Sequence, residues 1–118
     1  MNAISPITTH VLDTALGRPG VGIGVELEIF DPLVEPSWKV VGSGQTNSDG
    51  RVTDLLPPGE LSGGHYRISF KTAEYFQDQD NTGFYPVVRI EFQIDDPSRH
   101  FHLPLLLSPF GYSTYRGS

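Results

Sequence analysis

The chain has 118 residues and a formal net charge of -6. This fits one domain and disfavours a nucleic-acid-binding role, which requires a basic face. Apolar residues make up 37% of the sequence, so we expect a folded core, and the absence of cysteine excludes disulfides, thiolate metal sites and cysteine nucleophiles.

The sequence also gives no sign of membrane association. No stretch approaches the roughly 18 apolar residues that a spanning helix requires, and the acidic balance disfavours binding to an anionic membrane surface. Residues 1–10 have neither the basic region nor the apolar region of a secretory leader. We therefore expect a soluble, cytoplasmic protein.

Short segments that alternate apolar and polar residues, as half-buried β-strands do, lie between Gly- and Pro-rich turns. In residues 7–13 the odd-numbered positions share one face, and His10 lies on the other. In residues 23–30, Val25 and Leu27 are predicted to point inward and Glu28 outward. A further strand is predicted to begin at residue 38. Others are predicted over residues 65–70 and 86–94, at the start of residues 100–118, and over residues 112–116.

Residues 72–78 form the only plausible helix, of about two turns. We expect Thr72 to cap it and Tyr75 and Phe76 to lie on its apolar side. Seven or eight short strands with one short helix predict an all-β fold, an antiparallel Greek-key β-sandwich.

The closing stretch, residues 100–118, combines aromatic, apolar and ionisable side chains. Its alternation predicts that Phe101 and Leu103 face the core and that His102 faces outward. The outward face carries His, Tyr and Leu rather than charged residues, so we expect another subunit to cover it.

Several side chains could carry chemistry, but no pattern among them is diagnostic. A lone strand histidine such as His10 is more often structural than functional. Arg51 is either a solvated arginine or a guanidinium placed to bind a planar anion or a developing oxyanion. A nucleophile elbow, a phosphate-binding loop and a dinucleotide motif are all absent from the sequence.

His100 and His102 lie two residues apart on one strand face, and such a pair can bind a metal. However, Asp95 and Asp96 are explained by the preceding turn, and no other acidic residue lies nearby at ligand spacing. We therefore expect no metal. From pattern alone the prediction is a β-sandwich with a His/Arg site as one open possibility.

Three segments carry a family resemblance. THVLDT at residues 9–14, followed by GRP at 17–19, resembles the opening signature of the transthyretin-related proteins. NSDGR at 47–51 is similar to their central arginine segment. HLPLLLSP at 102–109 and YRGS at 115–118 resemble the closing signature of their enzymatic branch, the 5-hydroxyisourate hydrolases. Transthyretin itself, the thyroid-hormone carrier, shares the fold but lacks the histidines and this ending.

The resemblance implies one transthyretin-like domain over residues 1–118, assembled into a homotetramer with sites at the dimer–dimer interface. It implies hydrolytic ring opening of 5-hydroxyisourate, in urate degradation toward allantoin, without a metal or cofactor. The catalytic residues it implies are His10, Arg51 and His102. The substrate-binding residues it implies are His10, Arg51, Tyr115, Arg116, Gly117 and Ser118.

These residue types suit the implied reaction. Histidine, with an ordinary pKa of about 6.5, accepts and donates protons at neutral pH, so His10 and His102 could activate water or divide the base and acid roles. Arg51 would bind the oxidised purine and stabilise negative charge. The sequence does not say which histidine is the base. Two alternatives stay open: a carrier of a small aromatic ligand, and a structural sandwich domain of a larger assembly.

Overall fold

The computed structural model describes residues 5–59 and 61–117. These residues form nine strands and one short helix, which confirms the predicted all-β fold with a single short helix. The strands are Ile7–Asp13 (β1), Arg18–Pro19 (β2), Gly24–Phe30 (β3), Trp38–Gln45 (β4), Arg51–Val52 (β5), Gly64–Lys71 (β6), Val88–Ile94 (β7), Phe101–Ser108 (β8) and Gly111–Thr114 (β9), and the helix is Thr72–Gln77 (α1).

The strands form two sheets. One has the order β2-β1-β8-β9, with β5 also paired to β1, and the other has the order β4-β3-β6-β7. The sequence did not predict strands β2 and β5, because each has only two residues, too few to show an alternation. The pairing of β1 with β8 is parallel and departs from the antiparallel pattern. The chain builds the whole second sheet between these two strands, which gives the long crossover that parallel neighbours require.

The core lies between the two sheets and contains the side chains that the alternation predicts to be inward. In β3, Val25 and Leu27 are buried, and in β8 Phe101 and Leu103 are buried while His102 is half-buried. The predicted division of the closing stretch into a core face and an outward face is therefore confirmed.

One local prediction is wrong, and one side chain that was predicted to face outward is buried. Thr72 is the first residue of α1 rather than its cap, and its hydroxyl donates to the Tyr85 backbone oxygen (2.6 Å) in the loop that follows the helix. Glu28 points outward as predicted but is only 7% exposed. Arg67 on the neighbouring strand covers it, with Nε donating to Oε1 at 2.7 Å.

Candidate active site

Strand β1 organises the candidate site because it has a neighbour along each edge. On one edge His10 is paired with Arg51 of β5, and on the other Thr8 is paired with His102 of β8. Paired residues of a sheet project to the same face, as do residues two apart along a strand. The register therefore brings Arg51, His10, Thr8 and His102 to one face, opposite the buried side of β1.

A tight turn sets the position of Arg51. The side-chain oxygen of Asn47 accepts the backbone N–H of Arg51 (3.0 Å), and the Gly50 carbonyl accepts the backbone N–H of Val11 (2.7 Å). Gly50 has φ of 75°, and a Cβ there would lie 2.5 Å from the Val11 carbonyl oxygen. Only glycine tolerates both conditions, so the turn fixes Arg51 beside His10.

The segment after β9 runs back along His102. The Gly117 N–H donates to the His102 carbonyl oxygen (2.8 Å) in an isolated antiparallel bridge. A Cβ at position 117 would lie 2.8 Å from Cδ2 of His102, so a side chain here would displace the imidazole. Gly117 thus lies against His102, while Ser118 lies outside the described residues.

Tyr115 and Arg116 connect the end of β9 to this bridge outside any strand, and both side chains are exposed. The Arg116 guanidinium carbon lies 4.7 Å from the centre of the Phe101 ring, a cation–π contact. The structure therefore brings His10, Arg51 and His102 to one face with Gly117 against His102, while Tyr115 and Arg116 line a cavity together with His102.

A cavity of about 210 Å³ lies where the two sheets separate, and His10 and Arg51 do not line it. On the outer face of the single chain, His10 is half-buried and Arg51 is exposed. The cavity is lined by Ile90, Phe92, Gln93, Phe101, His102, Leu103, Thr114, Tyr115 and Arg116.

The environment of His102 favours its neutral form. Burial lowers the pKa of His102 below its usual 6.5, and electrostatic interactions with Arg51, His10 and His100 lower it further, in that order. A backbone hydrogen bond at Thr8 opposes this shift. The imidazole is consequently uncharged at neutral pH and able to accept a proton.

Two residues outside the predicted catalytic and substrate-binding sets join the site. The Thr8 hydroxyl oxygen lies 2.8 Å from Nδ1 of His102 and 3.0 Å from Nε2 of His100. The signal that could have found them is spacing, because each lies two residues before a candidate histidine. Their mutual contact depends on the parallel pairing of β1 with β8, which the sequence does not predict.

The described residues contain neither a metal-binding cluster nor a membrane-spanning helix. Within residues 5–59 and 61–117, there is no group of three or more His, Cys, Asp or Glu side chains placed to hold a metal ion. In these ranges there is also no helix with the length and apolar character needed to cross a membrane.

Known proteins of similar sequence and structure share this architecture. The chain is 42% identical to 5-hydroxyisourate hydrolase of Mus musculus over 114 residues, covering 97% of this chain and 96% of the mouse protein. The solved structure of Klebsiella pneumoniae 5-hydroxyisourate hydrolase has a TM-score of 0.80 and 32% identity, covering 99% and 100% of the two chains. Sea bream transthyretin, solved in complex with thyroxine, has a TM-score of 0.86 and 28% identity, covering 96% and 95%.

The match to a family extends over nearly all of the described residues. Residues 7–117 match the HIUase/Transthyretin family. This range includes β1 with His10, the turn that places Arg51, and the closing stretch through Gly117. The chain belongs to the HIUase/Transthyretin family.

Proposed function

We propose that this protein hydrolyses 5-hydroxyisourate, opening its ring by addition of water, as a step of urate degradation toward allantoin. The observation that carries the proposal is the convergence of His10, Arg51 and His102 on one face of three neighbouring strands. The names of the mouse and Klebsiella relatives, 5-hydroxyisourate hydrolase, support the same reaction.

The proposed mechanism uses the chain's own side chains. A neutral histidine, His102 or His10, takes a proton from water as the water oxygen bonds to the ring carbonyl carbon. Arg51 stabilises the negative charge that develops on the carbonyl oxygen. The carbon–nitrogen bond then breaks, and the departing nitrogen receives a proton from a histidine. Tyr115 and the backbone at Gly117 would border the bound ring.

Arg116 and Ser118 are also proposed to bind substrate, on the strength of the terminal motif. For Arg116 this requires the guanidinium to leave its contact with Phe101, or to act through the cavity that both residues line. Ser118 follows Gly117 directly and would lie near His102 if the bridge continued.

We also propose that the protein assembles into a homotetramer whose partner subunits cover the outer face. Exposed apolar side chains support a covered surface, since Leu12, on the same face of β1 as His10, is 37% exposed, and Phe110, in the turn between β8 and β9, is 75% exposed in the single chain. The expected molar mass in solution, four times 13.0 kDa, can be checked by sedimentation equilibrium. The cytoplasmic location stays a prediction.

A transthyretin-like carrier of a small aromatic ligand is the alternative. The fold similarity to the thyroxine complex of sea bream transthyretin favours it. Three ionisable side chains on the site face weigh against it, because a carrier of an aromatic ligand gains nothing from a neutral histidine beside an arginine.

The test supplies freshly generated 5-hydroxyisourate and follows its decay by absorbance, with heat-denatured protein as the control. We expect decay well above the spontaneous rate. Decay at the spontaneous rate would reject the hydrolase, and thyroxine binding measured on the same sample, without turnover, would establish the carrier.

A further inference from the structure

We propose that Thr8 and His100 are positioning residues for His102, and that together they form a proton path from Nδ1 of His102 to solvent. This inference rests on the proposed hydrolase function and names two residues that the function leaves unused. It is carried by the contacts of one hydroxyl group with two imidazole rings.

The Thr8 hydroxyl has one proton to donate and lone pairs to accept with. Its oxygen lies 2.8 Å from Nδ1 of His102 and 3.0 Å from Nε2 of His100, so the hydroxyl is placed to donate to one ring while it accepts from the other. Thr8 is only 7% exposed, which limits competition from water, whereas His100 is exposed to solvent. The three groups form a continuous chain of hydrogen bonds from the site face to the surface.

This chain of hydrogen bonds has two arrangements. In the first, Nδ1–H of His102 donates to Thr8, Thr8 donates to Nε2 of His100, and Nε2 of His102 is free to accept a proton. In the second, Nε2–H of His100 donates to Thr8, Thr8 donates to Nδ1 of His102, and Nε2 of His102 carries a proton that it can give away. The first arrangement makes His102 a base and the second makes it an acid.

The proton transfers balance over the reaction. When the water oxygen bonds to the carbonyl carbon, Nε2 of His102 takes the water proton, its Nδ1 proton passes to Thr8, and the Thr8 proton passes to His100. His100 then releases its Nδ1 proton to solvent. When the carbon–nitrogen bond breaks, Nε2 of His102 protonates the departing nitrogen, His100 regains a proton from solvent, and the transfers reverse. Thr8 is neutral before and after each step.

Electrostatics gives the reason for such a path. The charged or titratable groups that act on His102 are Arg51 from β5, His10 from β1 and His100 from the residue before β8. An imidazolium at His102 would be repelled by Arg51 in a half-buried position. Passing the proton through Thr8 moves the positive charge to the exposed His100, where water solvates it.

The test compares Thr8→Val, which keeps the shape but removes the hydroxyl, with Thr8→Ser, which keeps the hydroxyl. Thr9→Val is the matched control, because Thr9 lies next along β1 on the core side and donates to the Leu103 carbonyl without touching a histidine. We expect Thr8→Val to lower kcat roughly 10-fold or more with KM little changed, within the range of general acid–base catalysis, and Thr8→Ser to restore it. Thr9→Val should leave kcat near the wild-type value.

A spectroscopic measurement separates this inference from the proposed function. In the wild-type protein, ¹⁵N NMR of the imidazoles should show the tautomer of His102 changing as His100 titrates, and Thr8→Val should abolish that coupling. His100→Asn is a second test in case Thr8→Val fails to fold, because His100 is exposed. This variant should hold His102 in a single tautomer. Inactive wild-type protein with coupled titrations would reject the function alone. The proton path would be overturned if Thr8→Val left both kcat and the His102 tautomer unchanged. If Thr8→Val does not fold, the same result in His100→Asn would overturn it.

Discussion

At His102, burial and three neighbouring side chains all lower the pKa of the imidazole. The pKa of His102 lies below 6.5, first because of burial and then because of Arg51. The folded state therefore binds this proton less tightly than the unfolded chain does. As pH falls below about 6.5, the unfolded chain takes up the proton first. The low pKa of His102 therefore decreases the free energy of unfolding in acid, whereas it has no such effect at neutral pH.

Removing the charge of Arg51 tests this electrostatic coupling. We expect Arg51→Gln to raise the pKa of His102 toward its usual value, because the second-largest cause of the shift is gone. The measurement is an NMR titration of the His102 ring, and the control is Arg89→Gln in the opposite sheet, which should leave the pKa unchanged. An unchanged or lower pKa of His102 in Arg51→Gln would contradict the geometry of the site.

The two site histidines make a second prediction at this scale. We expect His10→Asn and His102→Asn each to lower kcat by about 10²-fold or more, the usual scale for losing a general acid or base. Steady-state decay of 5-hydroxyisourate measures this, with His65→Asn as the control, since His65 pairs with Glu91 on the other sheet. Near-normal turnover in both site variants would reject their proposed roles.

Among the elements, the end of β1 is tied to helix α1 through a buried carboxylate. Asp13 is 1% exposed, accepts the backbone N–H groups of Ala15 and Leu16, and accepts the Tyr75 hydroxyl at 2.6 Å. Burial and then the bond to Asp13 raise the pKa of Tyr75 to about 12. The contribution of neutral Tyr75 is thus present below pH 10 and is lost as pH rises through about 12.

We therefore expect Tyr75→Phe to lower the free energy of unfolding by about 1–3 kcal/mol, because Asp13 would be left buried without this donor. Urea denaturation measures the change. Tyr85→Phe is the control, since the Tyr85 hydroxyl makes no hydrogen bond within the part of the chain that the structure describes. Equal stability of the two variants would show that the Asp13–Tyr75 contact adds nothing to the attachment of α1.

At the scale of the whole molecule, the closing segment divides into a part that folds and a part that borders the site. Strand β9 ends at Thr114, Tyr115 is 58% exposed, and Gly117 lies against His102. Most of the buried apolar side chains lie before residue 115. The last four residues should therefore matter more to activity than to stability.

Deleting residues 115–118, or extending the C-terminus with a tag, should lower kcat/KM sharply while the urea midpoint stays near the wild-type value. An N-terminal tag is the control for the presence of a tag. Full activity of the truncated or C-terminally tagged protein would show that this segment has no part in the site.

The sequence by itself determined the fold class and named His10, Arg51 and His102 as candidates for the site. Alternation within single strands is a local property, and it correctly identified core side chains in segments such as β3 and β8. The segments around His10, Arg51 and the closing stretch carried the family resemblance because each is contiguous in the chain. The domain boundaries and the roles of the site residues stay predictions.

The tertiary structure decided what depends on pairing between distant strands. Only the parallel register of β1 with β8 brings Thr8 between His100 and His102, and only the tertiary structure places the Arg116 guanidinium over the Phe101 ring. Likewise Glu28 is buried because Arg67 on another strand covers it. Alternation says which face a side chain takes within its own strand, but the neighbour it meets is fixed by long-range hydrogen bonding and packing.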